Sequence, residues 1–198
     1  YQPKLENIVW EDKDELLADG TVDCLWSSYS MNGREDKYQW AGPYLYSRQM
    51  VVVKNESEIQ TLSDLKGKRI AVQATTKAED LFLHNIKSDL PQMQQVNCFS
   101  TTNEIYAALR KSYVDAIAGH EAMLGSLVKE GKDAYRMLDE SIYKSELGVA
   151  FKKGTHEEVA TDLTETLKKL QREGITEKIV TKYGLDADEI LPEGEQNE

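Results

Sequence analysis

Three short stretches of this chain carry side chains able to do recognition chemistry. The first is Ser30–Ser47, SMNGREDKYQWAGPYLYS, where Arg34 follows a glycine and precedes Trp40, a Gly-Pro pair, Tyr44 and Tyr46. A guanidinium is a planar fork that meets a carboxylate with two parallel hydrogen bonds. An arginine beside Glu35 and Asp36 can equally be a solvated surface charge, and Arg34 alone leaves both readings open. The second stretch is Thr75–Thr76, between a strand-like and a helix-like run, where free N–H groups and a helix dipole can receive an anion. Thr76 could also do no more than cap its own helix. The third is His120–Glu121. Here His120 can be a neutral acceptor or a solvent-facing residue at a helix start, and Glu121 is the one carboxylate placed for acid–base work in a cleft. His-Glu also opens a zincin motif, but Leu124 stands where the second histidine is required, so no zinc is expected. There is no GxSxG, no Cys–His pair and no phosphate loop.

The bulk numbers set limits around these stretches. With 198 residues, 40% hydrophobic and 30% charged, the chain is long enough for one large domain or two small lobes with real cores. A net charge of −11 argues against nucleic acid, whose phosphates call for a basic stripe. No apolar run has the length of a membrane span, and YQPKLENIVW has no signal-peptide pattern. Cys24 and Cys98 are too few for a disulfide framework, form no CxxC, and are expected as small buried side chains. The acidic end DADEILPEGEQNE reads as a frayed terminus or a linker.

The elements that must position the candidate residues alternate between strand and helix. NIVW, VDCLWSS, MVVVK, RIAVQ, VDAIAG and LGVAFKKG read as strands. EDKDELLADG reads as a helix closing on Gly20, TLSDLKG as a helical turn, and TTKAEDLFLHNI as a helix opened by a Thr76/Glu79 capping box. A second box, Thr101/Glu104, opens NEIYAALRKS, and HEAMLGSLVKEG is a helix stopped by Gly131. Near the C-terminus one helix carries Val159, Leu163, Leu167 and Leu170, and another carries Ile175, Ile179 and Tyr183, with Gly174 between them. Such alternation predicts an α/β architecture with mostly parallel strands, whose ligands sit beyond the strands' carboxyl ends. The loops Ser27–Arg34, Ala74–Thr76 and Gly119–Glu121 leave strands in that way.

The runs LLADGTVDCLWSSYSMNGRE, WAGPYLYSRQMVVVK, TLSDLKGKRIAVQATTKAE, EIYAALRKSYVDAIAGHEA and LGVAFKKG, closing in LKKLQREGITEKIVTKYG, resemble a known family in order and spacing. That family is the bacterial extracellular solute-binding proteins of family 3, the amino-acid-binding type II periplasmic binding proteins. The resemblance covers nearly the whole chain, and LSDLKGKRIAVQ is its most diagnostic stretch. It implies two lobes, 1–49 with 148–198 and 50–147, joined by hinge strands around Met50–Val53 and Leu147–Phe151. By the resemblance the sequence is expected to start at the family's second strand. The family's first strand and helix, which supply an aromatic wall of the pocket, either lie outside this sequence or are trimmed from this lobe.

The GRE followed by GPY resembles the family's arginine loop, shortened by one residue. The resemblance gives Arg34 the ligand's α-carboxylate, with Ser30 assisting and the carbonyl of Ser28 accepting from the ammonium. Thr75 and Thr76 complete the anion site. Of the aromatics Trp26, Tyr29, Trp40, Tyr44 and Tyr46, Tyr29 is expected to face the cleft. Where the family places an acid for the ammonium, this chain has His120 followed by Glu121. Either residue takes that role, or the ligand is not an ordinary α-amino acid. The implied protein is an extracytoplasmic, monomeric solute-binding subunit of an ABC-type transporter, in the periplasm or lipid-anchored at the outer face of the membrane. It binds a small zwitterion, by preference an amino acid, between closing lobes, partners a permease, and uses no cofactor, metal or catalysis. The alternative is the sensor domain of a membrane receptor kinase or cyclase. An enzyme on the same scaffold ranks below both.

Overall fold

A computed structural model describes residues 2–84, 89–131 and 133–192. The end of the acidic tail, and Asn85 and Ile86 of the helix expected over TTKAEDLFLHNI, lie outside the described residues. In chain order the elements are α1 (Lys13–Asp19), β1 (Cys24–Leu25), β2 (Tyr38–Lys54), β3 (Arg69–Gln73), α2 (Lys77–Leu83), β4 (Gln95–Phe99), α3 (Thr102–Arg110), β5 (Ala116–His120), α4 (Glu121–Glu130), β6 (Tyr135–Met137), β7 (Tyr143–Lys152), α5 (Glu157–Arg172), α6 (Ile175–Lys182) and α7 (Ala187–Ile190). The chain forms two compact units. Unit one is built mainly from Lys13–Ser47 and the stretch beginning at Ser145, and unit two mainly from Arg48–Lys144.

Unit two is an α/β layer structure whose inner logic is the period-two alternation of its strands. β2 pairs antiparallel with β5, and β3 runs parallel to both β5 and β4. Val51, Val53, Ile70, Val72, Ala116 and Ala118 face one side and pack with Ala78 and Leu81 of α2, together with Leu138 and Ile142. Met50, Val52, Ala71 and Ile117 face the other side and pack with Ile105, Ala108 and Leu109 of α3 and Leu124 of α4. With helices covering both faces, the strands read as near-continuous apolar runs, and each large buried side chain contributes about 1.5–3 kcal/mol. The Thr101 hydroxyl accepts the Glu104 N–H at 3.3 Å and the Glu104 carboxylate accepts the Thr101 N–H at 2.9 Å, so the second capping box forms as written.

In unit one, β7 lies between β1 and β2, with Cys24 opposite Phe151 and Leu25 opposite Ala150. Ala41, Val149, Phe151 and Ala160 form its core, with Val159 and Leu163 of α5 packed against them.

Several local expectations fail for identifiable reasons. Asn7–Val9 form no strand, since no described strand pairs with them, and Trp10–Asp12 instead make a 3-10 turn ahead of α1. MVVVK is only the end of a strand of seventeen residues that begins at Tyr38, because the chain stays extended through Gly42–Pro43, a pair that reads as a break. Ile175, Ile179 and Tyr183 of the last apolar helix face are 37%, 52% and 73% exposed, and Val180 is the residue α6 buries. Cys24 and Cys98 are free as expected, but Cys24 is half-buried and Cys98 exposed.

The amino ends of β3 and β5 are clamped together, which fixes where their carboxyl ends emerge. Asp115 accepts from Arg69 through Nε at 3.1 Å, Nη2 at 2.6 Å and the backbone N–H at 2.8 Å. The Arg69 hydrogen bonds hold the Asp115 carboxyl below its usual range. A depressed carboxylate contributes stability above its unfolded value of about 4 and loses it as pH falls through the folded value. Asp115→Asn is therefore expected to lower the unfolding temperature at pH 7. The gap to the parent should narrow as pH falls through the depressed folded value of Asp115, which thermal melts at a series of pH values would show.

Candidate functional site

The loop between β1 and β2 in unit one is stitched onto β7. Ser30 bridges Leu147, the Met31 N–H donates to the Glu146 carbonyl at 2.8 Å, and the Gly148 N–H donates to the Tyr29 carbonyl at 3.1 Å. Asn32 grips Glu146 twice, donating to its carboxylate at 3.2 Å and accepting its N–H at 2.7 Å. Gly148 permits this approach: a Cβ there would stand 2.7 Å from Met31 Sδ and 2.9 Å from Trp40 Cε3.

On this platform Arg34 is half-buried, its Nη1 3.4 Å from the Ser30 carbonyl and its guanidinium 5.3 Å from the centre of the Tyr29 ring. Its own carbonyl accepts from Trp40 Nε1 at 3.0 Å. Ser30 is 1% exposed, and its hydroxyl has no hydrogen-bond partner among the described residues. Such a buried, unmatched hydroxyl costs about 1–3 kcal/mol. Tyr29 departs from its expected role. It is 2% exposed, packs in a cluster with Tyr38 and Trp40, and bonds Tyr38 hydroxyl to hydroxyl at 2.7 Å. It therefore supports Arg34 from below, and a cation over an aromatic face adds about 1 kcal/mol. Ser28 is exposed, and the neighbouring Ser27 carbonyl accepts from the Tyr44 hydroxyl at 2.7 Å.

In unit two the two remaining loops leave adjacent parallel strands. Ala71 of β3 lies beside Ile117 of β5, and the same register carried forward sets Gln73 beside Gly119. The fold therefore brings Thr75, Thr76, His120 and Glu121 to one end of one sheet. Thr75 sits at φ 58°, a left-handed conformation strained for a β-branched residue. Its N–H donates to the Glu79 carboxylate at 2.7 Å, and the Thr76 hydroxyl donates to the Gln73 carbonyl at 2.7 Å. The Thr76/Glu79 capping box does not form. Glu79 reaches back one residue further than the pattern requires and takes the N–H that an anion would have used.

The third loop is occupied by side chains that the sequence reading placed elsewhere or passed over. Glu121 accepts from Arg48 through Nε at 2.8 Å and Nη2 at 2.5 Å. The fully buried Gln49 sets its amide nitrogen 3.0 Å from His120 Nδ1 and 3.2 Å from Nε2. Which of the two donates depends on the imidazole tautomer and the orientation of the amide. Lys77, 5% exposed at the start of α2, holds its ammonium 5.2 Å from the centre of the Tyr143 ring. Arg48 and Gln49 reach this loop through the register of β2 on β5, where Gln49 opposes His120. Two shallow depressions of about 180 and 150 Å³, one in each unit, are lined by none of the candidate residues. No group of three or more His, Cys, Asp or Glu among the described residues is arranged to hold a metal.

The profile of the family described as bacterial extracellular solute-binding proteins, family 3, matches residues 1–186. The chain is similar to the L-cystine-binding protein of Escherichia coli (strain K12), 29% identical over 92% of this chain and 67% of that protein. It is also similar to the glutamate-binding protein of Corynebacterium efficiens, 26% identical over 92% of this chain and 63% of that one. It thus spans about two thirds of the length of these relatives. Among solved structures it resembles the substrate binding protein of an amino acid ABC transporter, with a TM-score of 0.79 and 27% identity over 91% of this chain and 79% of the other. The architecture is the type II periplasmic binding protein fold that the sequence implied.

The contact of Gly148 with Met31 and Trp40 generates a test of how the arginine loop is held. Gly148→Ala should lower stability by about 1–3 kcal/mol through overpacking. Adding Met31→Ala should restore most of the loss by making room. Denaturant unfolding of the two variants measures both, and a neutral Gly148→Ala would show that the loop does not depend on this contact.

Proposed function

Because the chain belongs to the bacterial extracellular solute-binding proteins, family 3, we propose that it binds a small solute carrying a carboxylate, by preference an amino acid, and delivers it to a membrane permease of the ABC type. The observation that most supports this reading is the pairing of Ser30 with Arg34: a buried hydroxyl without a partner beside a half-buried guanidinium. A ligand carboxylate satisfies both at once, with a bidentate contact to the fork and a third bond from the hydroxyl. The proposed contacts of unit two are His120 and Thr76, at the carboxyl ends of β5 and β3. The protein acts outside the cytoplasm, where its binding state is read by the permease through a change of shape. It performs no chemistry on the solute. Relatives of similar sequence carry names of binding proteins, which agrees with that assignment.

Calorimetric titration with L-cystine, L-glutamate, L-glutamine and L-histidine tests the reading. Arg34→Ala leaves a shielded carboxylate unpaired and should cost roughly 3–5 kcal/mol, or two to more than three decades in affinity. Arg34→Lys keeps the charge without the planar fork and should recover only part of that loss. If Arg34→Ala remains folded by circular dichroism and binds within a few-fold of the parent, the loop is a turn and no anchor.

A further inference from the structure

Unit two holds a bidentate ion pair at the very loop proposed to receive the ligand. Arg48 is the first residue of the unit-two part of β2, and the antiparallel register that sets Gln49 opposite His120 brings its guanidinium to Glu121. The contacts, Nε to Oε2 at 2.8 Å and Nη2 to Oε1 at 2.5 Å, engage both carboxylate oxygens in the fork geometry that makes Arg–carboxylate pairs strong. The two side chains are only 30% and 23% exposed, so solvent screens the pair incompletely. Glu121 is also the first residue of α4, a helix of ten residues, where the dipole favours its charge and fixes its place.

We infer that Arg48 is a specificity-determining residue, which withholds the Glu121 carboxylate from the ligand. The inference rests on the binding function proposed above. To an approaching ammonium, a carboxylate closed on a guanidinium is part of a neutral pair, and the nearby arginine repels the newcomer while the glutamate attracts it. The group left beside the ligand's nitrogen is the His120 ring, held by Gln49, rather than a carboxylate. With the carboxylate engaged by Arg48, an ammonium loses the charge-assisted bond that would favour it over an amide nitrogen. The site therefore recognises the carboxylate end of its solute and tolerates a blocked or uncharged nitrogen at the other end.

The experiment is calorimetry with L-glutamine, L-glutamate and L-histidine, each beside its Nα-acetyl form, on the parent, Arg48→Gln, Arg48→Lys and the double variant Arg48→Gln/Glu121→Gln. The parent should bind free and acetylated partners within about tenfold of each other. Arg48→Gln releases Glu121 and should bind the free amino acids at least about tenfold tighter, with the acetylated forms unchanged. The double variant should return to the parent ratio. Arg48→Lys, which keeps the charge but not the fork, should give a smaller gain in the same direction and carries the test if Arg48→Gln fails to fold. An unchanged or reduced preference for the free amino acids in the Arg48 variants overturns the inference. Arg34→Ala measured in parallel separates the two ideas. If it loses binding while the Arg48 variants gain no preference, only this inference falls; if no probe binds the parent or any variant, both fall.

Discussion

The register of β2 on β5 is the constraint on which the rest of unit two depends. Gln49 to Val53 are each at most 2% exposed, and every one of them has a fixed partner between His120 and Ala116. A slip of one residue would turn Val51 and Val53 away from α2 and toward α3, so the apolar alternation fixes the pairing strongly. That same pairing, at its first step, puts Gln49 against His120 and Arg48 against Glu121. Packing deep in the sheet thus decides which polar groups meet at its end. The clamp between Arg69 and Asp115 does the complementary work at the opposite end of β3 and β5.

The two groups of candidate residues differ in chemical character. In unit one an arginine rests over an aromatic cluster and beside a buried serine hydroxyl, on a loop whose backbone is bound to β7. That arrangement prepares a cation and a donor for an anion and makes the loop rigid by packing, so little ordering is left to be done on binding. In unit two the charges largely answer one another: Glu121 with Arg48, and Glu79 with the Thr75 N–H. Beside them Gln49 and His120 hydrogen-bond each other.

Much of this was legible in the sequence where local rules suffice. RIAVQ, VDAIAG and the Thr101/Glu104 box appear where pattern and capping chemistry place them, and the ordered run of motifs identified the family. Legibility fails where a distant partner decides the outcome. Tyr29 lies between two serines in a polar loop, yet Tyr38 and Trp40 draw it into a core. Ile175, Ile179 and Tyr183 have the spacing of a buried face but stand exposed, because spacing alone does not say whether a partner exists. The Arg48–Glu121 pair joins residues 73 positions apart, and nothing in SRQM or GHEA announces it. Arg48 could be suspected only after β2 had been paired with β5 in the correct register.

The claim that carries the account is that Arg34 and Ser30 anchor the solute's carboxylate. Hydrogen exchange by mass spectrometry, with and without a saturating mixture of the common L-amino acids and L-cystine, tests it directly. The account predicts slowed exchange in the peptides covering Ser28 to Arg34, with the effect lost in Arg34→Ala. Unchanged exchange in these peptides, or protection that survives removal of the arginine, would contradict it.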